Sequence, residues 1–376
     1  MRRKVKGMSV TLAPKKARNT TIELFRIVCM LLIIAHHCVI HGGAYAMDNG
    51  TNKWISMMIL PAGKICFDAF IAISAWYTVD SKFKASRFVR IWLQILFYNL
   101  VFTALTVQLG QGYTTPVSVR SWIGNLFPML GNSHGFAASY AMYYFLVPFL
   151  GMLAHQMTKK QTELFVSLLF GIQVFSSLLG NITHYFQPMP SEVLLFVLFY
   201  YIALYLKRWP TKIQQCKPLL CFTVIFTWLF IAVSWIGNAL YPESELFLFG
   251  VGITSNESCL GNILAGLSLF LLVKDIKMPY IPQINAIATT TFGILLYHDH
   301  NFFRPVVWQR FINASSWYYV SPVRFVAYII IATAFVFSIG MVIDFARQVV
   351  ERWVMRTKFV TTICQRIDSI FSPSEE

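Results

Sequence analysis

The sequence predicts an all-α fold, a polytopic integral membrane helix bundle of about ten transmembrane helices with both termini in the cytoplasm. Three observations predict it. The 376-residue chain is 56% hydrophobic and only 12% charged, whereas a soluble domain carries about 25% charged residues. Its mean hydropathy is +0.58, and its apolar residues form stretches close to the length, about 20 residues, that a helix needs to cross a bilayer. When successive stretches are taken to cross the membrane in alternate directions, most Lys and Arg residues fall on one side of it.

The predicted helices are apolar runs separated by short polar segments. The sixth run is short, and polar residues between 256 and 262 interrupt the eighth. Residues 246–254 fit a segment that enters the membrane without crossing it, so counts of nine and eleven stay open, although an even count agrees better with the charges. In chain order the ten runs cover about 22–40, 54–79, 88–109, 138–156, 162–180, 192–206, 219–236, 255–273, 282–300 and 322–345.

The distribution of Lys and Arg sets the expected orientation. The chain has 31 of these residues and a net charge of +15. If the N-terminus is cytoplasmic and every run reverses direction, 24 cations fall in six cytoplasmic segments and four in outer segments, while Arg26, Lys64 and Arg324 fall in or beside a run. Because this asymmetry follows the positive-inside rule, we expect a multi-pass protein of the plasma membrane.

The same distribution indicates the partners. Nucleic-acid sites collect cations on one folded face, but these cations are dispersed over six segments. We therefore expect membrane lipids with anionic headgroups as partners, and no nucleic acid. Three regions follow: a basic, disordered cytoplasmic segment at 1–21, a transmembrane domain at 22–345, and a basic cytoplasmic tail at 346–376. The seven cysteines show no C-x-x-C spacing, so we interpret them as packing residues.

The first run carries ionisable residues, which are costly in lipid and often functional. Glu23 and Arg26 are three residues apart, close enough to pair on one helix face. Arg26 and His37 are eleven residues apart, which places them on the same face about 16 Å apart along the axis. His36 points about 100° away from His37. A hydrogen bond between helices is the alternative role for each histidine.

The second run contains Lys64 and Asp68, whose spacing of four residues predicts that they neutralise each other. After this run, Arg87 and Arg90 share a face at the entrance of the third helix. They are either positive-inside anchors or a clamp for a phosphorylated ligand, because guanidinium groups match phosphate oxygens.

The ninth run ends at His298, Asp299 and His300. By the predicted topology it ends on the same side as the first run, so His298 and His37 are expected at similar depth, and Asp299 is suited to orient an imidazole. No H-E-x-x-H pattern or Cys/His set at zinc spacing is present in the sequence. We therefore expect no metal, with a zinc site of His36, His37, His298 and His300 as the less favoured alternative.

Four segments, in order along nearly the whole chain, carry a family resemblance. They are 22–26 with His36 and His37, 63–77 with Arg87 and Arg90, 140–150, and 292–299 with Arg304 and Trp308. Together they resemble the membrane-bound acyltransferase 3 family, which includes bacterial O-acetyltransferases of surface polysaccharides. Two positions depart from the family pattern: Ala75 stands where glycine is usual, and Tyr297 is adjacent to His298 instead of three residues before it.

The resemblance implies an O-acyltransferase that moves acetyl from cytoplasmic acetyl-CoA to a hydroxyl of a cell-surface or lipid-linked glycan. It implies His37 as general base with His36 in support, and leaves an acyl-histidine intermediate open. Glu23 and Arg26 would order the acyl-CoA channel. The residues implied for ligand binding are Arg87, Arg90 and Ser74 for acyl-CoA, and His298, Asp299, Arg304 and Trp308 for the acceptor.

A membrane transporter or a lipid-linked glycan flippase is the alternative function. Ten spans with buried His, Arg and Asp residues suit a proton-coupled carrier. Against this alternative, the sequence contains no repeated halves and no matched pair of helices broken by glycine or proline.

Overall fold

A computed structural model describes residues 18–114, 116–127, 135–183 and 192–371, and within these ranges the chain is helical and contains no strand. Most of the predicted N-terminal segment 1–21, namely residues 1–17, lies outside the described residues.

The first helix begins at Thr20, where the side chain of Asn19 accepts a hydrogen bond from the backbone N–H of Thr21, as expected of a helix N-cap.

Fourteen α-helices make up the described part of the chain. They are α1 (Thr20–His41), α2 (Thr51–Val79), α3 (Ala85–Leu109), α4 (Val119–Asn125), α5 (Gly135–Gln156), α6 (Lys159–Thr183), α7 (Glu192–Arg208), α8 (Lys217–Leu240), α9 (Glu245–Gly252), α10 (Leu260–Val273), α11 (Pro282–Ala288), α12 (Thr291–His298), α13 (Pro322–Val354) and α14 (Lys358–Ile370). A π-helical turn, Val306–Ile312, precedes α13.

Seven of the described helices are long and apolar enough to cross a membrane, namely α1, α2, α3, α5, α6, α8 and α13. The prediction of a polytopic helical membrane protein is therefore confirmed. The other three predicted spans correspond to shorter helices: α7 has 17 residues, α10 has 14, and the run 282–300 is divided between α11 and α12. The count of ten spans stays a prediction.

The division of the ninth run has a local cause. The hydroxyl groups of Thr289, Thr290 and Thr291 donate hydrogen bonds to backbone carbonyls three residues earlier, and such bonds compete with helical pairing. Just beyond the break, Gly293 lets α12 approach α13, because a Cβ at this position would lie 2.1 Å from Oδ1 of Asp344.

The helix α2 lies at the centre of the bundle. It contacts α1, α7, α8 and α10, while α1 also contacts α11, α12, α13 and the π-helical turn. Close packing of α2 uses small residues, since Ala62, Gly63 and Ala69 are all buried. The arrangement brings the last turns of α1 next to the end of α12.

The predicted boundary at residue 345 falls inside α13, which continues to Val354 and is followed by α14. Arg347 is only 5% exposed and forms ion pairs with Asp344 at 2.7 Å and with Glu351. The start of the predicted tail is therefore part of the packed bundle, because this ion-pair network holds it there.

Five of the seven cysteines are buried, and none forms a disulfide.

Candidate active site

A cluster of imidazole rings forms where α1 meets α12. The ring centroid of His37 lies 5.4 Å from that of His36, 5.0 Å from that of His41 and 5.1 Å from that of His298. Trp308, on the π-helical turn, completes the group with its ring 5.9 Å from that of His298. We call this region the histidine end and define it by His36, His37 and His41.

Backbone carbonyls determine which nitrogen of two rings carries the proton. Nδ1 of His36 lies 2.7 Å from the carbonyl oxygen of Leu60, and Nδ1 of His298 lies 2.6 Å from that of Ile294. Because a carbonyl only accepts, Nδ1 donates in both rings and, in the neutral rings, Nε2 keeps its lone pair. Nε2 of His298 and Nδ1 of His37 are buried and have no hydrogen-bond partner among the described residues.

Glycine and tryptophan hold this arrangement in place. A Cβ at Gly63 of α2 would lie 2.3 Å from the ring of His36, so only glycine lets that ring pack directly against the helix. The indole Nε1 of Trp308 donates to the backbone carbonyl of His298 at 2.9 Å. Trp308 is fully buried. It therefore positions His298 from inside the bundle and is not part of an open surface. Its π-helical setting is of a type found frequently at functional sites.

An acidic and a basic side chain lie beside the rings. Arg304 pairs with Asp299 at 3.2 Å, and their side chains are 35% and 31% exposed. The nearest ligand atoms of His37, His41 and Asp299 all lie within 4.8 Å of one another. The structure thus brings together six residues that the sequence indicated: His36, His37, His298, Asp299, Arg304 and Trp308.

The predicted pairing of Lys64 with Asp68 is wrong. Nζ of Lys64 lies 2.6 Å from Oε1 of Glu257, in the segment between α9 and α10. Both oxygens of Asp68 are buried without a hydrogen-bond partner in the described chain. The physical reason is the packing of α10, because Asp68 lies against Gly266 of that helix, whereas Lys64 faces the preceding segment.

The opposite end of α1 holds the predicted cations. Oε2 of Glu23 lies 3.7 Å from a guanidinium nitrogen of Arg26. Arg26 is about 16 Å from His37 along the axis of α1. Arg90 pairs with Glu351 at 2.7 Å, and the guanidinium of Arg87 lies 5.8 Å from the centroid of the Tyr144 ring. We call this region the arginine end and define it by Arg26, Arg87 and Arg90.

A cavity of about 1150 Å³ opens at the arginine end, next to the start of α3. Its lining includes the backbone segment that precedes α3 and four cations, namely Lys82, Lys84, Lys207 and Arg208. Arg87 and Arg90 are not among the lining residues. Ser74 lies within α2, where its backbone carbonyl accepts a hydrogen bond from Thr78.

Sequence reasoning missed three features of these sites. His41 is four residues after His37, and this spacing on one helix face was a signal that could have been used. Lys207 and Arg208 are among the 24 cations of the cytoplasmic segments, and nothing in the local sequence indicates the cavity that they line. Glu257 had no local signal, because its partner Lys64 is 193 residues away.

Comparison with known proteins gives one family match. The model of a family described as an acyltransferase domain matches residues 19–341, which is most of the chain and includes both ends of α1. No match was found among curated proteins, and none among solved structures.

Proposed function

The chain belongs to the membrane-bound acyltransferase 3 family, and from that premise we propose that this acyltransferase moves acetyl from acetyl-CoA to a hydroxyl of a cell-surface or lipid-linked glycan. The observation that carries the proposal is the proximity of His37 and His298, whose rings each have a buried nitrogen without a hydrogen-bond partner among the described residues. Family membership identifies an enzyme, which argues against the transporter alternative.

His37 is the proposed general base. A sugar hydroxyl is a weak nucleophile until a base takes its proton, and imidazole suits this work near neutral pH. Nδ1 of His37 is buried and has no hydrogen-bond partner in the described chain, so a substrate hydroxyl that reached it would supply the missing hydrogen bond. His36 is held by Leu60 and packs against Gly63, which makes it a support for His37.

The proposed transfer conserves atoms and charge. The hydroxyl oxygen attacks the thioester carbonyl carbon while His37 takes the hydroxyl proton. A carbon–oxygen bond forms, the carbon–sulfur bond breaks, and the proton passes from His37 to the departing sulfur of CoA. In the alternative route His37 itself attacks the thioester, and CoA leaves before the acceptor hydroxyl attacks the acyl-histidine. Release of CoA without acceptor distinguishes the second route from the first.

The cavity at the arginine end is the proposed site for the phosphate groups of acetyl-CoA. Its volume is about 1150 Å³, and its lining holds four cations against two carboxylates, Asp80 and Asp368. Lys207 is paired with Asp80 at 2.6 Å, so Lys82, Lys84 and Arg208 are the cations proposed to meet the phosphate groups. Arg87 lies less than one turn into α3 and is exposed, so it is the better placed of the two predicted arginines. Arg90 is already paired with Glu351. Ser74, Glu23 and Arg26 are proposed to border the path from this cavity to the histidines.

The acceptor is proposed to bind at the histidine end. Asp299 and Arg304 are partly exposed there and are suited to hydrogen-bond sugar hydroxyls. Trp308 acts through His298, since its indole donates to the backbone carbonyl of that residue. We propose that this end faces the outside of the plasma membrane and that both chain termini are cytoplasmic, which agrees with the distribution of cations.

The test uses purified protein, acetyl-CoA labelled in the acetyl group, and glycan from the surface of the producing cell. We expect release of CoA thiol and label bound to glycan through an ester. No release of CoA thiol and no label on glycan would contradict the proposal and favour a carrier. Mass spectrometry of surface glycans from cells with and without the protein then identifies the acceptor.

A further inference from the structure

We propose that His37, His41 and Asp299 form a binding site for Zn²⁺ and that zinc bound there blocks acyl transfer. The binding site stands on its own geometry, and the blocking effect rests on the proposed function of His37. Zinc is therefore an inhibitor here, and the transfer reaction does not require it.

The positions of the three side chains fit one metal ion. Their ligand atoms lie within 4.8 Å of one another. His37 and His41 are four residues apart on α1, with ring centroids separated by 5.0 Å, so both imidazoles project from one helix face. Tetrahedral zinc, with bonds of about 2.0–2.2 Å, holds its ligand atoms roughly 3.4 Å apart. All three residues are partly exposed, and metal binding would require a small rotation of their side chains to close the site.

His298 lies next to this set but outside the 4.8 Å limit that its three members meet, so its side chain would have to move to supply a fourth ligand. Its Nε2 is buried without a hydrogen-bond partner in the described chain, and its ring lies 5.1 Å from that of His37. The hydrogen bond from its Nδ1 to the carbonyl of Ile294 fixes the tautomer whose Nε2 binds a metal, as second-shell partners of zinc histidines commonly do. His36 is not part of the set, because its ring is packed against Gly63.

The ligand chemistry selects zinc over the hard cations. Imidazole nitrogens with one carboxylate suit zinc, whereas Mg²⁺ and Ca²⁺ prefer oxygen ligands throughout. Arg304 opposes metal binding, since its guanidinium pairs with Oδ1 of Asp299 at 3.2 Å and repels a second cation. Removal of this charge should therefore strengthen zinc binding, while Asp299→Asn tests whether the carboxylate itself is a ligand.

Bound zinc would take the lone pair through which His37 accepts a proton. Transfer should then fall as zinc occupies the site and return when a chelator removes it. His41 lies at the end of α1 and takes no part in the proposed proton transfer, so comparing each variant with and without zinc separates metal binding from any change in its basal transfer rate.

The binding test is calorimetric titration of chelator-treated full-length protein in detergent with ZnCl₂, and separately with MgCl₂. We expect one zinc and no magnesium per chain. His41→Ala and Asp299→Asn should each weaken zinc binding by at least the roughly tenfold that loss of an outer-shell partner costs, and Arg304→Gln should strengthen it. His155→Ala, at the exposed end of α5, is the matched control and should bind zinc as the wild type does.

Thermal unfolding guards against variants that fail to fold. Zinc should raise the Tm of the wild type and of His155→Ala, because a ligand of the native state stabilises it, but not that of His41→Gln. No zinc binding by the wild type, or equal binding by all variants, overturns the site.

Transfer assays with and without zinc test the blocking effect. Each variant is compared with itself, and inhibition should be strong in the wild type and weak in His41→Ala. Calorimetric binding without inhibition overturns the blocking effect and the role of His37 as base, while the binding site itself stands. The two outcomes therefore separate a failure of this inference from a failure of the proposed function.

Discussion

The two ends of α1 hold polar side chains under different conditions. At the arginine end, Glu23 lies 3.7 Å from Arg26 and Arg90 pairs with Glu351, although Oε2 of Glu23 and Nε of Arg26 are buried without a hydrogen-bond partner among the described residues. Glu351 also accepts from Arg347, which pairs in turn with Asp344. At the histidine end the rings contact one another, yet ring nitrogens of His37 and His298 have no hydrogen-bond partner in the described residues.

This difference separates a recognition and stabilising region from a reactive one. Imidazole nitrogens without a partner can exchange protons with a substrate near neutral pH, whereas the unpartnered atoms of Glu23 and Arg26 belong to an ion pair. Paired charges, in contrast, hold helices together and are expensive to break. We therefore expect changes at the histidine end to reduce turnover, and changes at the arginine end to reduce stability or donor affinity.

The largest expected effect is that of His37→Ala. Loss of a general base should lower the transfer rate by roughly 10²–10⁴-fold, whereas His36→Ala should lower it much less because His36 only supports the ring of His37. The measurement is transfer of labelled acetyl per folded protein, with folded protein quantified by size-exclusion chromatography. Equal losses for both variants would remove the distinction between the two rings.

Asp344→Ala should have the largest effect on stability. The Asp344 carboxylate accepts hydrogen bonds from Gln94, Tyr98 and Arg347, and removal of one partner of a buried ion pair costs about 3–5 kcal/mol. A marked fall in Tm in detergent is expected. Ser338→Ala, exposed on the same helix, is the control, and a similar Tm for both variants would show that the network does not hold the arginine end.

Gly63→Ala should disturb the histidine end through packing. The added methyl group would lie 2.3 Å from the ring of His36, and overpacking of this kind costs about 1–3 kcal/mol. We expect a lower Tm and slower transfer. Gly171→Ala is the matched control, because a Cβ there meets nothing within 4 Å. If Gly63→Ala behaves like Gly171→Ala, His36 is not held as described.

The smallest expected effect is a difference in the KM for acetyl-CoA between variants of Arg87 and Arg90. Arg87→Ala should raise the KM for acetyl-CoA about tenfold with little change in kcat, since one charge-assisted hydrogen bond is worth roughly 1.5–3 kcal/mol. Arg90→Ala should change KM less, because Arg90 is paired with Glu351. Steady-state kinetics with varied acetyl-CoA measures both. Unchanged KM values for both variants would make these arginines topology anchors alone.

Local sequence patterns predict the structural features that depend only on the spacing of residues within one helix. Apolar runs located the spanning helices, and the interval of three residues located Glu23 beside Arg26. The proximity of His298 to His37 followed from counting reversals of the chain, since both runs were expected to end on the same side. These features need no knowledge of how helices pack against one another.

Features that depend on packing between distant segments were not predictable in this way. Lys64 has a carboxylate four residues away, yet the partner it contacts is Glu257, because α10 packs against Asp68. Arg347 was counted among the cytoplasmic anchors but is buried beside Asp344. In each case the sequence offered a local explanation that the tertiary contacts replaced.

Transfer across sealed membrane vesicles tests most directly whether the two ends of α1 divide donor binding from chemistry. Right-side-out vesicles would be loaded with labelled acetyl-CoA, and the glycan acceptor would be supplied only outside. We predict labelled glycan outside and CoA thiol inside, with both lost in His37→Ala. Labelled glycan formed only when donor and acceptor share one compartment would contradict the division of the molecule into a donor end and a histidine end.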